Sequence, residues 1–109
     1  MDESKKKIFY TQNILHNNIE SFIKDSILNE KKFKFSYNLI EYNGDKLIID
    51  VNITEPGWIS FIDTWDPNWD VFVNGEKKNI NKLFSAYKAI KVQPGNTNIK
   101  FEYKPFKIN

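Results

Sequence analysis

Hydrophobic positions along the chain keep a helical period only once. Ile19, Phe22, Ile23 and Ile27 recur at i, i+3, i+4 and i+8, the spacing of a single apolar stripe on a helix. Asn17 or Asn18 stands where an N-cap is needed. Glu20 and Lys24, four residues apart, form a pair whose polarity suits the helix dipole. These signals predict a helix over about 17–29 that packs on a sheet. Ahead of it, Lys7 to Tyr10 reads as a short edge strand.

From Lys32 the period becomes two. Phe33, Phe35, Tyr37 and Leu39 alternate with Lys34, Ser36 and Asn38 up to an Asn43-Gly44 turn, and Leu47, Ile49, Val51 and Ile53 then alternate with polar residues. Two antiparallel strands joined by a tight turn follow from this. Glu55-Pro56-Gly57 breaks the run. Trp58 to Ile62 is apolar on both faces, as in a central strand covered on both sides. Trp69, Val71 and Val73 resume the alternation and close at Asn74-Gly75, the strongest two-residue hairpin signal in the chain. Lys77 to Ile80 returns beside them. Tyr87 to Val92, a Gln93-Pro94-Gly95-Asn96 turn and a last strand through Ile99, Phe101 and Tyr103 complete the series. About seven short strands with regular turn signals describe a mainly β fold, an antiparallel β-sandwich of Ig-like or jelly-roll-like kind carrying one N-terminal α-helix. The sandwich spans about 32–105, and residues 1–109 form one domain.

Composition narrows the functions this scaffold can serve. All sixteen basic residues are lysine, against fourteen acidic ones, for a net charge of +2. Forked recognition of guanine edges and phosphates relies on arginine, so the chain is not read as a nucleic-acid binder. No cysteine is present, which excludes disulfides and cysteine-based zinc sites. Apolar runs stop at a few residues, far short of the roughly 18 needed to cross a bilayer as a helix. The basic Lys5-Lys6-Lys7 is followed by polar residues where a signal peptide would be apolar.

Candidate chemistry is sparse. His16 is the only histidine, expected at the surface, and a nucleophile needs a base beside it. No phosphate-binding glycine loop appears among four glycines. Asp63, Asp66 and Asp70 are clustered but lack the spacing, bidentate Glu and turn glycine of a calcium loop, so no metal site is assigned and no cofactor is expected. Asp66 reads as a turn-former and Asp63 as a partner for backbone amides. An enzyme would need Asp63 and Asp70 to face one pocket. Trp65 and Trp69 flank the same stretch. Exposed rings there would stack on a sugar while Asp bonds its hydroxyls, but Trp69 shares parity with Val71 and Val73 and reads as core, leaving Trp65 as the better candidate for exposure.

A longer series of motifs carries a resemblance. Glu55-Pro56-Gly57-Trp58, Asp63-Thr64, Asp66-Pro67-Asn68-Trp69, Val73-Asn74-Gly75, Tyr87-Lys88-Ala89-Ile90, Val92-Gln93-Pro94-Gly95 and Ile99 through Pro105 follow one another in order. The chain resembles the C-terminal extracytoplasmic domain of YfhO-type bacterial membrane proteins, multi-spanning and glycosyltransferase-like. There a Tyr-Pro-Gly-Trp loop leads to an Asp-Gly hairpin, a Phe-Arg-Ala-Val strand, a Pro-x-Gly turn and a closing strand. The resemblance covers residues 36–105, about two thirds of the chain. Asn68 stands for the loop glycine, Asn74 for the hairpin aspartate and Lys88 for the arginine. Asn tolerates the left-handed backbone such glycines supply, whereas lysine replaces a forked arginine contact only in part.

What the resemblance implies is a non-catalytic accessory domain on the extracytoplasmic face of the bacterial cell membrane. Its partner would be the membrane-embedded part of the parent protein, since a membrane helix closely follows the closing strand in such proteins. The family's catalytic residues have no counterpart here. Two roles stay open. In one, the domain holds a cell-wall glycan or lipid-linked sugar through Trp65, Asp66, Trp69 and Lys88. In the other, it is a structural or protein-interaction module whose aromatics are all core.

Overall fold

In a computed structural model describing residues 6–63, 68–84 and 87–104, alternating sequence becomes two antiparallel sheets. In chain order the elements are β1 (Ile8–Thr11), α1 (Ile19–Lys32), β2 (Ser36–Asn43), β3 (Lys46–Ile53), β4 (Gly57–Phe61), β5 (Trp69–Val73), β6 (Glu76–Lys78), β7 (Asn81–Leu83), β8 (Tyr87–Val92) and β9 (Gly95–Tyr103). One sheet has the order β1-β4-β8-β7 and the other β2-β3-β9-β5-β6. The protein is therefore mainly β, a sandwich of two antiparallel sheets with one helix.

Strand alternation builds the layer between the sheets. Ile8, Tyr10, Ile59, Phe61, Ile90 and Val92 of the four-stranded sheet meet Leu47, Ile49, Val51, Ile53, Val71, Ile99 and Phe101 of the five-stranded one. Each large side chain withdrawn from water here contributes about 1.5–3 kcal/mol before entropy is counted. The opposite face of the four-stranded sheet is covered by α1, where Phe9 and Leu83 enclose Phe22. With a helix on one face and a sheet on the other, β4 is buried on both sides and interior to its sheet, as the apolar residues on both of its faces predict.

Local chemistry sets the boundaries. Asn18 caps α1 by accepting the Ser21 amide at 2.8 Å. The helix ends three residues later than expected, in a left-handed turn at Lys34 (φ 55°), where the Phe35 amide reaches back to the Glu30 carbonyl at 3.0 Å. Asn74 and Gly75 both have positive φ (51° and 83°) between the paired Val73 and Glu76, the two-residue hairpin the sequence predicts.

Three expectations are corrected. The described residues contain nine strands rather than about seven: the expected N-terminal edge strand is present, and the unexpected one is Asn81–Leu83, three residues with no alternation to reveal them, which pairs with β8. On α1 the buried positions are Phe22, Ser26 and Asn29, while Ile27 turns outward. In β2 Leu39 keeps the expected parity opposite Ile49 but is 55% exposed on this edge strand, and a bulge at Ile40 then shifts the alternation so that Tyr42 comes edge-on to Phe61 with centroids 6.1 Å apart.

Candidate functional site

Two of the four residues proposed for ligand contact meet inside the sandwich. Lys88 has the parity of Ile90 and Val92 on β8, so its side chain enters the layer between the sheets and is completely buried. Its Nζ lies 4.7 Å from the centre of the Phe61 ring and 4.5 Å from that of Trp69. It also donates to the Asp63 carbonyl oxygen at 3.2 Å. Aromatic faces and a carbonyl dipole are thus among the groups that take the place of water around the ammonium.

Trp69 is only 9% exposed. It pairs in register with Tyr103, with ring centroids 5.4 Å apart, and stands edge-on to Phe61 at 6.0 Å. With Lys88, Tyr103 and Phe61 against it, the indole is a packing element of this end of the sandwich, in agreement with its parity. Trp65 and Asp66, the other two candidates, lie outside the described residues. Trp58 is half-buried on the helix side of β4, with the Lys91 ammonium 5.5 Å from its ring centre.

Glycines of the motif series take backbone roles at the other end of these strands, where Gly57 pairs with Val92 and Gly95 with Ile53. A Cβ added at Gly57 would lie 2.5 Å from Cε1 of Tyr10 and 2.8 Å from the Thr11 carbonyl oxygen, closer than atoms can approach. Only glycine lets β1 run this near β4. Gly95 (φ +105°) turns the chain into β9.

The carboxylates weighed for chemistry are distributed between sheets. Asp70 points to the outer face of the five-stranded sheet, with Lys77 at 3.6 Å. Asp63 follows β4 in the other sheet, and its charge adds to the hold on Lys7. Lys7 donates to the Tyr42 hydroxyl at 3.2 Å, and this hydrogen bond, before the charge of Asp63, raises the ammonium's pKa above the ordinary lysine value. Both groups stand at a cleft of about 190 Å³ between Ile8 and Phe61 of one sheet and Leu39 and Leu47 of the other.

A polar network under the helix has no signal in the sequence. The side chain of His16, expected at the surface, is only 10% exposed, with its ring edge-on to Phe22 and Nε2 2.9 Å from Asp25 Oδ2. Asn29 donates to Asp25 Oδ1 at 2.8 Å and accepts the Gln12 amide at 3.0 Å, which ties α1 to the end of β1. These residues are separated by up to 17 positions, so only the folded chain brings them together.

Comparison with known proteins finds no matching family model, no matching curated protein and no matching solved structure.

Proposed function

We propose that this chain is a non-catalytic accessory β-sandwich of a YfhO-type, glycosyltransferase-like bacterial membrane protein, standing on the extracytoplasmic side, and that its role is structural rather than glycan-holding. The observation that supports the structural role is the Lys88–Trp69 contact inside the sandwich, which takes two of the four proposed glycan contacts out of reach of a ligand. A sugar needs an indole face and polar groups open to solvent, and here the lysine and its neighbours occupy the ring. The accessory assignment is supported by the motif series, whose glycines and buried lysine fit the needs of the sandwich itself. The non-catalytic part rests on the sequence, with one histidine and no cysteine.

The test is a titration of the chain with cell-wall and lipid-linked-type oligosaccharides, followed by tryptophan fluorescence and amide chemical shifts. The expected result is no saturable change at millimolar ligand. Saturable shifts centred on residues 63–70, lost in Trp65→Ala, would overturn the structural role and restore the glycan-holding one.

A further inference from the structure

The outward face of α1 carries its own chemistry. At 100° per residue, Lys24, Ile27, Leu28 and Lys31 occupy i, i+3, i+4 and i+7 and share one face, opposite the buried Phe22, Ser26 and Asn29. Ile27 is 48% exposed and Leu28 67%. Lys32 and the exposed Lys34 flank them, and Leu15, 84% exposed, lies in the segment leading into the helix. Two large aliphatic side chains are therefore held in water between four lysines.

The acids of this element do not neutralise those lysines. Asp25 is engaged by His16 and Asn29, and Glu30 by Lys6. Only Glu20, a full turn before Lys24, shares the face. Among the described residues, Lys24, Lys31, Lys32 and Lys34 form no ion pair with a carboxylate. Lys32 instead lies over the Phe33 ring at 5.2 Å.

We propose that this face docks on an anionic lipid surface, with Ile27 and Leu28 entering the headgroup–acyl boundary while Lys24, Lys31, Lys32 and Lys34 remain at the level of the phosphates. Long lysine stems reach outward from a helix lying in the interface plane, and aliphatic residues between them supply the buried area that a purely basic patch lacks. A nucleic acid is the poorer fit, because the face offers no arginine and the one ring among its lysines, Phe33, is packed against Tyr10 and covered by Lys32. Charge complementarity selects the occupant: each lysine near an anionic leaflet strengthens binding about fivefold, and the effect fades beyond a Debye length. The inference rests on the helix face alone, independent of the accessory-domain reading.

The experiment is co-sedimentation of the chain with vesicles of phosphatidylcholine alone and of phosphatidylcholine with increasing phosphatidylglycerol. Binding is expected only with phosphatidylglycerol, rising with its fraction and falling as salt is added. Replacing Lys24, Lys31 and Lys32 together by Gln should weaken binding on the order of 100-fold. The pair Ile27→Ser and Leu28→Ser should weaken it by at least about tenfold. Thermal melts check that the variants fold, which their exposed positions favour. Absence of binding at every phosphatidylglycerol fraction overturns the proposal and leaves the face to an acidic protein surface. Binding unchanged in folded variants, or equal binding to phosphatidylcholine alone, overturns it as well.

Discussion

The four-stranded sheet is covered twice, and the two coverings differ in kind. Toward the other sheet it presents a continuous apolar layer in which Lys88 is held by aromatic rings and a carbonyl. Toward α1 it presents Phe9 and Leu83 around Phe22, but also buried Thr11 and Ser60, and the helix answers with Ser26 and Asn29. Among the described residues, the hydroxyls of Thr11 and Ser60 have no protein hydrogen-bond partner, a cost the inter-sheet layer largely avoids. The first covering is non-directional and large. The second is smaller and depends on a few rings and on hydrogen bonds with defined geometry, so it fixes the helix's position more than it adds stability. The helical layer is expected to be the part that opens first.

Phe61→Ala would test the inter-sheet layer hardest, since Phe61 touches Trp69, Phe101 and Tyr42 at once. Chemical denaturation should show a loss of about 3–5 kcal/mol. A loss below about 1 kcal/mol would remove the distinction between the layers. Asn29→Ala leaves the Gln12 amide without its acceptor and should cost about 1–3 kcal/mol. Hydrogen exchange should rise in α1 and at the end of β1 while β3 and β9 stay protected. Equal acceleration in those strands would show that the helix opens only with the whole fold.

The smallest effect concerns alkaline pH. Burial raises the pKa of Tyr10 above the usual tyrosine value, against the opposing Gln12 hydrogen bond, while the Tyr10 hydroxyl donates to the Glu55 carbonyl at 2.7 Å. Because the folded value lies above the unfolded one, this contribution is complete below about pH 10 and is lost as pH rises through the folded pKa. Lys7 is raised as well and acts in the same direction. Melting temperature should hold up to about pH 10 and then fall, less steeply in Tyr10→Phe. An equal fall in both proteins would assign the alkaline loss to other groups.

The sheets were legible wherever one residue decided one local geometry. Alternation in β3 and β9, the Asn18 cap and the Asn74-Gly75 turn all act within a few positions, so sequence displays them directly. The end of α1 was not, because a lysine rather than glycine takes the left-handed position. Ile27 misled because its spacing is helical while Asn29, drawn to the Gln12 amide, sets which face turns inward. Lys88 is the clearest case. A charge on a strand reads as exposed, and the rings packed against it come from β4 and β5, 27 and 19 positions away.

The bulge in β2 has a consequence for the molecule among its own copies. β2 is an eight-residue edge strand, and Leu39, Ile40 and Tyr42 leave it with apolar side chains in solvent. A straight strand of that composition is a template on which another chain can add, and then another, toward a fibril. The extra residue at Ile40 interrupts the regular ladder and twists the strand at its midpoint, so no incoming strand can match its full length. The irregularity that defeats simple alternation is thus also a guard against templated aggregation.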